Sequence, residues 1–325
     1  MYLRCPWLHR FERFGDVAEL QRAITRLEEV VRCTSVWDKR HRRGLANLGV
    51  ALSYRFNHLG ELSDLEHAIS TLTDAVDLTP HGDPQKPGHL NNLGSSLKAR
   101  FERLGELSDL ERAISTIRDA VHLTPHADPH KPTFLSNFGE SLITHFKCRG
   151  ELSDLERAIS MFRDAVALAP HSHPLRLGYL GNLGNRFKAR FERLGELIDV
   201  EDAISRHRDA VELTPHCHPD KPIHLNNLGT SFDARFEHLG ELSDLEDAIS
   251  TLKDAVDLTP RGRPEKPSHL NSLGSSFKAR FECLGQWTGD TGTGCLHSLG
   301  SSRRHDADGR RQGRFVMMTN YAQKD

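Results

Sequence analysis

Cysteine is scarce in this chain. The six cysteines, Cys5, Cys33, Cys148, Cys217, Cys283 and Cys295, form no CxxC pair, which fits a reduced, cytoplasmic protein better than a disulfide scaffold. No window approaches the ~18 apolar residues of a membrane span. The opening MYLRCPWLHRFERFGD lacks the apolar core of a signal peptide. Neither charge sign prevails, since 43 Lys and Arg face 45 Asp and Glu for a net charge of −2. A nucleic-acid or polybasic membrane binder carries an excess of cations, so neither partner is expected. Period-two alternation is absent as well, which excludes an all-β propeller.

Self-similarity is abundant. Gly15, Gly60, Gly105, Gly150, Gly195, Gly240 and Gly285 are each 45 residues apart. A fixed period in this range signals a stacked array in which each unit touches its neighbours, whatever the chain length suggests about domain number. Residues 15–285 are six 45-residue repeats. Residues 1–14 repeat the end of a unit (RFERFG against Arg100–Gly105) and are expected to be a truncated helix of a preceding unit. The Gly-, Ser- and Arg-rich stretch 286–325 has no helical period and is expected to be a disordered or decayed tail, with Phe315 as a relic of a further helix.

Each unit holds two helical stretches. In 105–149 the first carries Leu110, Ala113, Ile114, Ile117, Ala120 and Val121 on one face. Ser108 and Glu111 are spaced as a capping box, as are Ser63/Glu66, Ser153/Glu156 and Ser243/Glu246. Pro125 closes this helix. The second stretch, clearest in 89–105, carries Leu90, Leu93, Leu97, Phe101 and Leu104 on one side, with Gly105 as a left-handed terminator. Gly94 sits inside it, where glycine costs ~1 kcal/mol relative to alanine. Its recurrence as Gly49, Gly139, Gly184, Gly229 and Gly274 implies a contact too close for a side chain. The fold expected is an all-α superhelical solenoid of paired antiparallel helices.

The segment LNNLGSSLKARFERLGELSDLERAISTIRDAVHLTP resembles an elongated tetratricopeptide repeat. Leu90, Leu93 and Gly94 stand where that family has its aromatic, Leu and Gly, and Ala113, Ala120 and Pro125 where it has two small residues and a closing proline. About eleven extra residues account for a period longer than the family's 34. The LNNLG stretch is similar to kinesin light chain repeats, and the whole unit to fungal arrays associated with CHAT (caspase-like) protease domains. The resemblance implies a non-catalytic scaffold, without cofactor or metal, that holds a peptide or partner protein in its concave groove. A second implied role is the sensor region of a CHAT-type protease system without its enzyme, or a fragment of such a gene.

Within that resemblance, Asn47, Asn92, Asn137, Asn182 and Asn227 form a ladder of amides suited to the backbone of an extended peptide. The competing role is to hydrogen-bond the neighbouring helix and hold the stacking angle. The positions one before them, Ala46, Asn91, Ser136, Gly181, Asn226 and Asn271, carry no cation, so a clamp for chaperone carboxylate tails is not expected. His171-Ser-His173 and His216-Cys-His218 look like zinc ligands, but they sit in separate loops with no four-ligand set. The once-per-unit phenylalanines, Phe56 to Phe281, read as core. Arg55, Arg100, Arg190, Arg235 and Arg280 read as solvated faces.

Overall fold

A computed structural model describes residues 17–287, and among these every regular element is a helix. Six outer helices are α1 (Val17–Cys33), α3 (Leu62–Asp77), α5 (Leu107–Leu123), α7 (Leu152–Leu168), α9 (Leu197–Leu213) and α11 (Leu242–Leu258). Six ladder helices, which carry the asparagine positions, are α2 (Lys39–Leu59), α4 (Lys86–Leu104), α6 (Lys131–Arg149), α8 (Arg176–Leu194), α10 (Lys221–Leu239) and α12 (Lys266–Trp287). Each helix packs on the next in the chain. Successive ladder helices also touch one another, so they form the inner layer of the solenoid. The segments 1–14 and 288–325, with Phe315, lie outside the described residues. None of the described helices is long and apolar enough to cross a membrane.

The tightest hairpin joins a ladder helix to the following outer helix through a Gly-Glu turn. Gly60, Gly105, Gly150, Gly195 and Gly240 all have φ between 73° and 78°, a region costly for any side chain. Each donates its N–H to the phenylalanine carbonyl four residues back at 2.7 Å. The next residue, Glu106 in the Gly105 hairpin, is extended and caps without a side-chain hydrogen bond, and α5 starts at Leu107. The expected capping boxes therefore do not form. Ser108 already lies inside the helix.

The interior glycines have the expected cause in every unit but the last, where a Cβ on Gly274 would meet nothing within 4 Å. A Cβ on Gly49 would stand 2.5 Å from Leu72 Cγ, and one on Gly229 would stand 2.6 Å from Leu252 Cγ. At Gly139 it would meet the Phe162 ring at 2.8 Å, and at Gly94 it would strike Ile117. Those partners are fully buried. Burying a Leu, Ile or Phe contributes about 1.5–3 kcal/mol, more than the ~1 kcal/mol that an interior glycine costs. Leu104, expected on the packed side, is instead 47% exposed beside its terminating glycine.

Four arginines of the stripe are not a solvated face, whereas Arg280 on the last helix lies 3.4 Å from the exposed Glu246. Arg55, Arg100, Arg190 and Arg235 each grip an aspartate of the following outer helix (Asp64, Asp109, Asp199, Asp244) through two bonds of 2.5–2.9 Å. Those carboxylates are buried, and each pair is geometrically bidentate. The bond raises the arginines above their ordinary pKa. In the Gly150 hairpin His145 replaces arginine and meets Asp154 at 2.6 Å. A second recurrent device closes the proline loop. Lys86, Lys131, Lys221 and Lys266 extend their ammonium groups to two carbonyls at the end of the preceding outer helix, at 2.5–3.0 Å. A cation there meets the negative end of the helix dipole, which typically contributes 0.3–1 kcal/mol. Arg176 takes this part in the remaining loop, toward Val166 and Ala169.

Candidate functional site

The five ladder asparagines occupy one register of α2, α4, α6, α8 and α10, and all five are half-buried. The residues around them explain this. Leu48, Leu93, Leu183 and Leu228, one position on, are buried in the core, so the asparagine Cα is held at the edge of the packed layer with its side chain beside the inner surface. Their hydrogen bonding is not uniform. Asn137 Nδ2 donates to Asn91 Oδ1 of the preceding ladder helix at 2.9 Å. The side-chain amides of Asn47, Asn92, Asn182 and Asn227 make no hydrogen bond among the described residues. One rung thus ties helices together and four remain available. The Asn91 position was not identified from sequence, because two adjacent asparagines offer no sign of which one faces a neighbour.

Three rungs converge. Asn137, Asn182 and Asn227 line a single cavity of about 520 Å³ on the inner face of α6, α8 and α10, with Ser136, Tyr179 and His224. Tyr179 anchors the wall through its hydroxyl, 3.0 Å from Thr133 Oγ1. Burial pushes the His224 imidazole below its ordinary pKa. Its Nδ1 is buried without a hydrogen-bond partner. Nothing in the sequence singled out this histidine. The signal lay in unit 176–194, where the Lys-Pro start is replaced by Arg-Leu and Gly181 replaces a side chain.

Two further buried polar groups lie nearby, His207 on the outer helix α9 and Asp233 on the ladder helix α10. His207 stands at the core position of Leu72, Ile117, Phe162 and Leu252 and is fully buried against Gly184. Burial pushes its pKa down to about 4. Its Nδ1 lies 2.9 Å from Ser231 Oγ, while Nε2 has no partner. Asp233 is pushed up to about 6, chiefly by burial, and accepts from Ser276 Oγ at 2.7 and 2.9 Å.

The loop histidines act locally. His173 and His218 accept the backbone N–H two residues on at 3.2 Å, as Asp83 and Asp128 do in their loops. Among the described residues no group of three or more His, Cys, Asp or Glu is placed to hold a metal ion. The phenylalanine stripe is graded. Phe191 and Phe236 are buried, Phe56, Phe101 and Phe146 are half-buried, and Phe281 on the last helix is 76% exposed.

Helices alone, paired antiparallel and stacked in a fixed register with an inner amide ladder, define an all-α repeat solenoid of the tetratricopeptide type. BtubC (BKLC) from P. vanneervenii has the same fold, with a TM-score of 0.50 and 16% identity over 74% of this chain and 90% of that one. Two more solved structures resemble it. A Podosopora anserina protein described as a kinesin light chain with nearly identical TPR-like repeats has a TM-score of 0.47 and 14% identity, covering 64% of this chain and 93% of that one. YrrB, described as a TPR protein with an unusual peptide-binding site, has a TM-score of 0.46 and 14% identity, covering 72% and 91%. No protein-family model matches the chain, and no curated protein matches it in sequence.

Proposed function

We propose that this protein is a non-catalytic scaffold that binds an extended peptide segment of a partner protein along the inner face of its solenoid. The observation that carries this reading is the convergence of Asn137, Asn182 and Asn227 on one cavity between α6, α8 and α10. An amide that offers both a donor and an acceptor suits a peptide backbone, which presents both in alternation. Asn47 and Asn92 extend the same register toward the N-terminal units. The groove is not uniformly basic. Lys98 and Lys188 lie along it with Asp233 in the same register, and each lysine is near a glutamate one turn on, at 3.0 and 3.8 Å. The affinity then comes from hydrogen bonds and shape rather than from charge. A role as the sensor region of a CHAT-type protease system rests on the sequence resemblance alone, and it would place its trigger peptide in the same groove.

The test is the double variant Asn182→Ala, Asn227→Ala, which leaves the Asn137–Asn91 tie intact. Two lost hydrogen bonds are worth about 1–3 kcal/mol, or about fivefold to a hundredfold in affinity. Peptides selected from a random library on the wild-type chain should bind the variant that much more weakly, with an unchanged melting temperature. Full affinity with lowered melting temperature would make these asparagines spacers and remove the groove as the site.

A further inference from the structure

The inner cavity is not an average stretch of the groove. One position before the ladder the units carry Ala46, Asn91, Ser136, Gly181, Asn226 and Asn271. Only Gly181 has no side chain there, and packing does not demand its absence. A Cβ on Gly181 would meet only the His224 ring, with Nδ1 at 3.6 Å and Cε1 at 3.7 Å, an ordinary contact. Gly184, one turn on, differs, since a Cβ there would stand 2.5 Å from His207. Gly181 therefore leaves a notch in the cavity wall that the fold does not require.

His224 closes the far side of this notch. Its counterparts in other units, His89 and His269, set Nδ1 against threonine hydroxyls, Thr79 at 3.2 Å and Thr259 at 2.9 Å. The equivalent Thr214 donates its hydroxyl to the Ala210 carbonyl, as Thr79 and Thr259 do to theirs, but it does not meet the ring, and His224 Nδ1 is left with no partner although the residue is only 7% exposed. A buried ring nitrogen without a hydrogen bond is costly, and it is the kind of group that a ligand atom satisfies. It abuts the space over Gly181, 3.6 Å from where a Cβ would stand, in the wall of the cavity that Ser136, Asn137, Asn182 and Asn227 also line.

We propose that the notch over Gly181 is the specificity pocket of the groove and receives a short neutral side chain that both donates and accepts hydrogen bonds, namely Asn, Ser or Thr, from the bound peptide. This rests on the peptide-groove reading above. The lining argues for neutrality. Asp220 is the one carboxylate among the lining residues, and it is exposed at the rim, 3.9 Å from His218. A charged side chain in the notch would be desolvated with no counter-ion. An aliphatic one would leave His224 Nδ1 unpaired. A side chain longer than one missing residue's worth of space would clash with the His224 ring.

The experiment uses the full chain and a positional-scanning library of random decapeptides, with wild type beside Gly181→Ser and His224→Phe. Serine stands at the Gly181 position in the preceding unit, Ser136, and phenylalanine at the His224 position two units back, Phe134, so both variants should keep the wild-type melting temperature. Wild type should select Asn, Ser or Thr at one position. Each variant should lose that selection, with the chosen peptide binding about two- to tenfold more weakly and other positions unchanged. Selection of a charged or aliphatic residue there, or a preference that neither variant moves, overturns the pocket while leaving the groove standing. Failure of every peptide to bind wild type overturns both.

Discussion

His207→Leu should stabilise this protein, and more so as pH falls. The histidine occupies a site where the other units place Leu72, Ile117, Phe162 and Leu252, all fully buried like itself. Leu72 over Gly49 and Leu252 over Gly229 show that leucine fits against the interior glycine. Burial is the largest influence on the ring and holds its pKa near 4; Lys188 and His224 act in the same sense and the Gly181 carbonyl opposes them. In the unfolded chain the ring titrates near 6.5. A folded-state pKa below the unfolded one means that stability is intact above about pH 6.5 and is lost as pH falls toward 4, because only the unfolded state takes up the proton. The linkage is worth about 0.2 kcal/mol at pH 7 and about 2 kcal/mol at pH 5. Leucine also removes the unpartnered Nε2, while Ser231 keeps its bond to the Asn227 carbonyl. Urea unfolding followed by circular dichroism, on both proteins at pH 7 and pH 5, gives the two differences directly. Groups common to both proteins, Asp233 included, cancel in the comparison. A stability gap that does not widen on acidification, or a variant less stable than wild type, would refute the reasoning.

Gly184→Leu should force the two helices apart at the same contact, costing about 1–3 kcal/mol or more, and should split thermal melting into phases as the flanking units unfold separately; one unchanged transition in calorimetry would count against it. Arg190→Ala leaves Asp199, 1% exposed, without its partner and should cost about 3–5 kcal/mol in denaturant unfolding at pH 7. Asp233→Asn should stabilise the array above pH 6, because the raised pKa of about 6 marks a carboxylate that is penalised when ionised, and the gain should vanish below pH 4 where both states of the wild type are protonated; melting temperatures across that range check the sign.

The fold was legible because a 45-residue period carries its own register. Gly94 recurs in every unit, and its recurrence at a costly position implied a close contact there, although the residue that fills it varies from Leu72 and Ile117 to Phe162, His207 and Leu252. The terminating glycines were legible for the same reason, as their left-handed φ leaves few alternatives. The Arg–Asp grips were not, since Arg100 and Asp109 lie on different helices and nine residues of sequence give no angle across the turn. The capping boxes failed on a shift of phase. Gly105 and Glu106 re-aim the chain so that the helix begins at Leu107, and Asp109 in its first turn is committed to Arg100. For the site, the ladder register was visible, but its division into one tied rung and four open ones depends on which of two adjacent asparagines, Asn91 or Asn92, faces α6. His224 was hidden because its counterparts have threonine partners and it has none.

The Arg–Asp grips have a consequence for how such a chain can change length. Because the donor and acceptor of each seam are chemically the same, excising residues 60–104 would bring Arg55 to Asp109, a pairing no different from the one it lost. The Gly49 contact would likewise pass from Leu72 to Ile117. Whole units are thus interchangeable parts, and an array of this kind can shorten or extend by a unit without inventing a junction. The exchange stops being silent at two places, the His145–Asp154 seam and the Gly184–His207 contact, where the halves no longer match their neighbours. The first mismatch joins α6 to α7 and the second joins α8, the helix that carries the notch, to α9, so exchange of these units would alter the site while the scaffold kept its junctions.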